Sequence, residues 1–198
     1  FSMVQVHPIV LFFASIFTSN ILLTNFLGMC SYLSISKDLK SSLGLGQAVV
    51  FVMTITTVLN YFVYHYILVP ARLEYLRYIV FIIVVAASVQ LLEMLLERFF
   101  PSLYYALGIF LPLITVNCAI LGVALFMIIR EYTFWQSVAY GAGGGIGWTL
   151  AILALAGIRQ KVDERRIPNG LQGPGISLIS TGLMALAFIG FSGIVPIQ

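Results

Sequence analysis

The chain has 198 residues, 61% hydrophobic and 9% charged, with ten Lys/Arg against seven Asp/Glu and a net charge of +3. A soluble domain carries about 25% charged residues, so a soluble enzyme domain, a disordered chain and a nucleic-acid binder with a basic face are excluded. The composition is that of an all-α integral membrane protein; at about 30 residues per span and loop, the length predicts six transmembrane helices in a single domain, 1–198, with no room for a soluble one.

Residues 8–24 form a first uncharged apolar run. It continues at membrane depth through Asn25-Phe26-Leu27-Gly28-Met29-Cys30-Ser31, before charge arrives at Lys37-Asp38-Leu39-Lys40. No basic segment or small-residue cleavage site marks a removable signal peptide. The opening at Phe1 rather than Met predicts that native residues precede it. Span two is 43–68, and 70–74 is a turn. Span three is 76–96; it carries Gln90 and Glu93 and is closed by Glu97, Arg98 and Pro101. Span four is 103–129, broken by Pro112 and ended by Arg130 and Glu131. Span five, 134–158, opens on the glycine-rich stretch 141–147. A polar loop, 159–174, leads to span six, 175–193. Continuous runs of about 20 residues, rather than alternating segments of about ten, disfavour a strand barrel.

Loop charge sets the expected orientation. Loops after spans one, three and five hold Lys37, Lys40, Arg98, Arg159, Lys161, Arg165 and Arg166; loops after spans two and four hold Arg72, Arg77 and Arg130. The split is seven to three and accounts for all ten cations. The positive-inside bias makes the first set cytoplasmic and turns both termini outward.

The chain also carries signs of duplication. Thr24 and Asn25 precede Cys30; Thr115 and Asn117 precede Cys118. Each cysteine interrupts an apolar run, and each is followed by a charged loop and a span with closely spaced glycines (Gly44 and Gly46; 141–147). Three spans per half is an odd number, so two like halves insert in opposite directions. The expectation is an inverted repeat, about 1–100 and about 101–198, with broken helices meeting near the midplane.

Cys30 and Cys118 are the candidate site residues. They read either as buried small hydrophobes, as a disulfide, or as thiolate metal ligands. Unwound backbone around each favours the last, because non-helical backbone at membrane depth persists only where protein or a cavity satisfies it. A [2Fe–2S] cluster takes four cysteines, so two call for a second chain with two more. The glycine run does not suit a dinucleotide: it follows no strand, and Ile146 stands where a third fingerprint glycine belongs. Its Gly141/Gly145 and Gly143/Gly147 spacings fit close helix packing. Glu93, an acid within a span, is an ion-path candidate, although Glu97 lies one turn away near the boundary. His7 and His65 match no metal-ligand spacing, and Asn25 and Asn117 are expected to satisfy the backbone of the broken helices.

The segments Phe26-Leu27-Gly28-Met29-Cys30-Ser31-Tyr32 and 107–120, with its Pro112-Leu113-Ile114-Thr115-Val116-Asn117-Cys118 core, resemble the two signature segments of the NqrE/RnfA family. So do Gly147-Trp148, Ala156-Gly157-Ile158-Arg159 and Gly182-Leu183-Met184-Ala185 leading to Phe191-Ser192-Gly193. Met29-Cys30-Ser31 and Gly147-Trp148 lean to the NqrE branch; the short 69–77 connection and the 120–125 stretch lean to RnfA, a component of the ferredoxin:NAD⁺ oxidoreductase. The resemblance implies six helices in two inverted halves; the expected location is the bacterial inner membrane, where the cation split puts both termini in the periplasm. It also implies an intramembrane [2Fe–2S] cluster on Cys30, Cys118 and two cysteines of a homologous NqrD-like protein. That cluster relays electrons across the membrane, coupled to ion pumping, within a complex that also holds NqrA, NqrB, NqrC and NqrF. NADH, flavins and quinone bind those other components. A small inverted-repeat transporter and a cofactor-free scaffold are the competing expectations.

Overall fold

The computed structural model describes residues 7–99, 114, 116–162, 168 and 170–190. Among them every regular element is helical. The first apolar run is not one helix but three: α1 (Pro8–Ile16), α2 (Ile21–Asn25) and α3 (Met29–Ile35). The sequence places a break at 25–31; a second one precedes it, around Asn20. The Asn20 side chain accepts from the Leu22 and Leu23 N–H groups (3.1 and 3.4 Å), capping α2 where those donors have no helical partner. α2 ends on Phe26 at φ 54, and Gly28 at φ 83 opens α3.

α4 is helical over Leu39–Ala71, 33 residues. The turn expected at 70–74 therefore starts later, after Ala71. Pro70 lacks the N–H that would bond back along the helix, and the stretch before it, Tyr64–Leu68, is wound as a π-helix that absorbs the mismatch. α5 is Arg77–Phe99, α6 Cys118–Ile129, α7 Phe134–Lys161 and α8 Pro174–Ile189. The glycine-rich stretch lies in the middle of α7, not at its start. The start is instead a capping box, in which the Thr133 N–H donates to Gln136 Oε1 at 2.9 Å. α4 and α7 are long and apolar enough to cross a membrane; α6, α8 and 77–91 of α5 are shorter apolar helices. The first part of span four with Pro112, the loop cations Arg165 and Arg166, and the 191–193 segment lie outside the described residues.

The α7 glycines explain the packing. A Cβ on Gly145 would stand 2.8 Å from Val50 Cα, and Gly141 and Gly46 press on Thr57 and Thr149, so α4 and α7 run antiparallel in close contact. Gly143 and Gly147 open the adjacent face to α1: a Cβ on Gly143 would meet Phe12 O at 2.7 Å, and one on Gly147 would meet Ile16 O at 2.9 Å. The two Gly-x-x-x-Gly pairs thus serve two different neighbours, and van der Waals contact between backbones supplies the association that lipid does not.

α3 and α6 start beside Trp148, midway along α7, and leave in opposite directions. α3 ends near Arg159, whose Nη1 donates to the Leu33 carbonyl (3.2 Å) and Ser36 Oγ (2.8 Å), a cation placed on a helix C-terminus. α6 runs the other way: Val123 packs on Gly144, and beyond its end the Tyr132 ring stands 5.3 Å from that of Tyr140. Phe81 of α5 packs with Ala124, Met127 and Ile128 of α6. The antiparallel layout gathers Lys37, Lys40, Arg159 and Lys161 at one end of the bundle and Arg72, Arg77 and Arg130 at the other, along the division that loop counting gives.

Candidate functional site

The two interruptions come together. Cys118 is the first residue of α6 and Cys30 the second of α3. The Gly28 N–H donates to Cys118 Sγ at 2.9 Å, a bond across 90 residues of sequence. A second bond runs back: Asn117 Nδ2 donates to Ser31 Oγ at 3.3 Å. Asn117 Oδ1 meanwhile caps α6 through the Ala119 N–H at 3.0 Å. The chain can present Gly28 this way because glycine tolerates its left-handed conformation. A Cβ there would also stand 2.6 Å from Trp148 Nε1 and 2.9 Å from Asn117 Oδ1.

Both thiols are free and exposed on the surface of the chain, so neither is a buried hydrophobe and neither is in a disulfide. Beside them Phe26 and Val116 are exposed as well, at 52% and 74%. Among the described residues no third His, Cys, Asp or Glu joins the pair. These two exposed cysteines, at the starts of α3 and α6, are the residues of this chain that could hold a metal.

The other candidates lie elsewhere. His7 caps α1 through Ile9 N–H (3.4 Å), and His65 stacks on Tyr61 at a centroid distance of 4.2 Å. Glu93 is part of α5, but its side chain lies outside the described residues. Asn117 satisfies broken-helix backbone as expected; in the first half Asn20 does so instead of Asn25. Asn25 ends α2, where the N–H groups already have helical partners, whereas Asn20 stands at the start, where they do not. Asn20 Nδ2 also donates to the Gly147 carbonyl at 2.8 Å, fastening this break to α7. Its signal was a polar residue in an apolar run shortly before the expected break. A cavity of about 590 Å³, lined by Tyr61, Tyr64, His65, Arg77, Glu131 and Tyr132 among others, lies at the end of the bundle, away from the cysteines. A midplane substrate site would instead sit level with Trp148.

Residues 9–195 match the family described as Rnf-Nqr subunit, membrane protein. Among relatives, the E-type subunit of the Na(+)-translocating NADH-quinone reductase of Pseudoalteromonas translucida (strain TAC 125) is 52% identical over 198 residues, covering 95% of this chain and 98% of that protein.

Proposed function

Since the chain belongs to the Rnf-Nqr family of membrane subunits, we propose that it is the E-type subunit of a Na⁺-translocating NADH:quinone oxidoreductase. In this reading Cys30 and Cys118 supply half the ligands of an intramembrane [2Fe–2S] cluster shared with a homologous subunit. The single observation that carries the cluster reading is the Gly28 N–H to Cys118 Sγ bond, which joins the two cysteine-bearing breaks at one exposed spot. The relative's 52% identity favours the E-type assignment over RnfA.

The donor set fits. Thiolate sulfur suits iron–sulfur clusters, and the partner's two cysteines complete the four. When bound, the cluster supplies a one-electron carrier. Everything else follows from this chain's own groups. Cys30 and Cys118 hold it from α3 and α6, and the Gly28 N–H offsets negative charge at Cys118. The exposed Phe26 and Val116 meet the partner and keep water away. NADH, flavin and quinone act on the other subunits.

The finer architecture belongs to the same proposal: six spans in two inverted three-helix repeats, in the bacterial inner membrane with both termini periplasmic. The opposite courses of α3 and α6 from one level of α7 support it, as does the seven-to-three split of loop cations between the two sides. Alkaline phosphatase fused after Gln198 is expected to be active and green fluorescent protein dark; the reverse pattern overturns the orientation.

Iron analysis and low-temperature EPR of the purified complex test the function. Cys30→Ala and Cys118→Ala are each expected to remove the cluster iron and abolish quinone reduction. NADH oxidation by a soluble artificial acceptor survives, because that step uses another subunit. Full iron and full quinone reduction in both variants would sink the electron-relay reading.

A further inference from the structure

Trp148 is fully buried, yet its Nε1–H has no acceptor among the described residues. Of the indole atoms, Nε1 lies nearest the space left by the missing side chain of Gly28, so the polar edge of the ring stands beside the residue whose N–H donates to Cys118 Sγ. An unpaired donor in the protein interior carries a desolvation penalty. A purely apolar ring of the same shape would fill the site and escape it. Packing alone therefore accounts for the ring but not for the nitrogen.

The geometry points to Trp148 as a positioning residue of the two-cysteine junction, its indole seating Gly28 so that the backbone N–H meets Cys118 Sγ and its own unpaired N–H presenting its positive end to the same spot. The inference rests on the cluster reading above. Gly28 is enclosed by Trp148 of α7, by Asn117 at the start of α6 and by Ala119 on it, so α7 and the helix that carries Cys118 share the wall around it. One-electron reduction would add one negative charge to a cluster held by these sulfurs. A fixed dipole with its positive end toward them stabilises the reduced form more than the oxidised one, and raises the midpoint potential.

The test is a redox titration of the intact complex, followed by EPR, with Trp148 replaced by 3-benzothienylalanine, an isostere that lacks the N–H. A parallel titration uses Trp148→Phe. Both are expected to keep full cluster iron and to lower the midpoint. At a fixed poise the oxidised-to-reduced ratio is therefore expected to rise in both variants. The same isostere at Trp135, which is 71% exposed, is expected to leave the titration unchanged. If the unmodified complex shows no cluster, the proposed function fails. If it does and the isostere's midpoint coincides with that of the unmodified complex, that function stands and this inference is overturned. Loss of iron in the isostere, whose shape is kept, overturns it too, because the N–H would then hold the fold rather than tune the junction.

Discussion

The two interruptions reach one place by different means. The first is built over residues 17–28: a short helix capped by Asn20, then two left-handed residues, Phe26 at φ 54 and Gly28 at φ 83. In the second, the described residues directly before Cys118 end on Asn117 in extended conformation. The first break gives a backbone N–H that donates; the second presents a thiol at the first turn of a helix to accept. Asn117 and Ser31 return a bond in the opposite sense. The two breaks are therefore not interchangeable in role, and each is held partly by the other.

That dependence is broken most directly at Gly28. Gly28→Ala places a Cβ in left-handed backbone, costing about 1–2 kcal/mol, and into contact with Trp148 and Asn117, overpacking that costs about 1–3 kcal/mol more. A loss of roughly 2–5 kcal/mol in all is expected, seen as a fall in the thermal midpoint of the purified complex. Gly157→Ala, where nothing lies within 4 Å of the new Cβ and the helix gains propensity, is expected to be neutral or slightly stabilising. Equal melting of the two variants would remove Gly28 from its special place.

The asparagines sharpen the comparison at a smaller scale. Asn20→Ala removes the α2 cap and the bond to the Gly147 carbonyl, both buried, and is expected to cost about 1–3 kcal/mol in the same measurement. Asn25→Ala, at an exposed helix end, is expected to change it by less than about 0.5 kcal/mol. If Asn25 proved the costlier loss, the first break would be organised as the sequence pattern suggests and not as the bonds describe.

Those asparagines also mark how far the sequence could be read. The membrane class, the long helices α4 and α7 and the meeting of the two cysteine segments follow from apolar run length, charge placement and repetition, which are local or countable. The packing use of the glycines followed from their four-residue spacing, though not which pair faces α1 and which faces α4, because one helix's periodicity does not name its neighbours. Asn20 was passed over since capping depends on where the backbone leaves the helix, and an apolar run gives no period there. The π-helix before Pro70 was hidden for a related reason: proline foretells a lost bond, but whether the chain turns or rewinds depends on packing around it. The bond from Gly28 to Cys118 spans two halves that no linear motif connects, and Trp148 was visible only as part of a family resemblance.

The smallest contrast concerns how the long helices that follow the two breaks begin. α7 starts on the neutral Thr133–Gln136 capping box, while α4 starts on a carboxylate: Asp38 accepts from the Ser41 hydroxyl at 2.8 Å and the Ser41 N–H at 3.2 Å. The Ser41 side-chain bond and then its backbone bond hold the Asp38 carboxyl below its ordinary range. A depressed carboxyl pKa stabilises the folded helix start above the unfolded value, about 3.9, and that contribution disappears as pH falls through the lower, folded one. The cap is fully exposed, so the effect is local. Amide exchange at Ser41 and Ser42, corrected for intrinsic rates, is expected to quicken between pH 6 and pH 3 relative to Gln136 and Ser137, by a factor of about two to five. Asp38→Asn keeps a capping oxygen but cannot titrate, so it should flatten the difference. Persistence of the acid-induced opening in Asp38→Asn would assign it to some group other than this cap, and the two helix starts would then differ in sequence without differing in response.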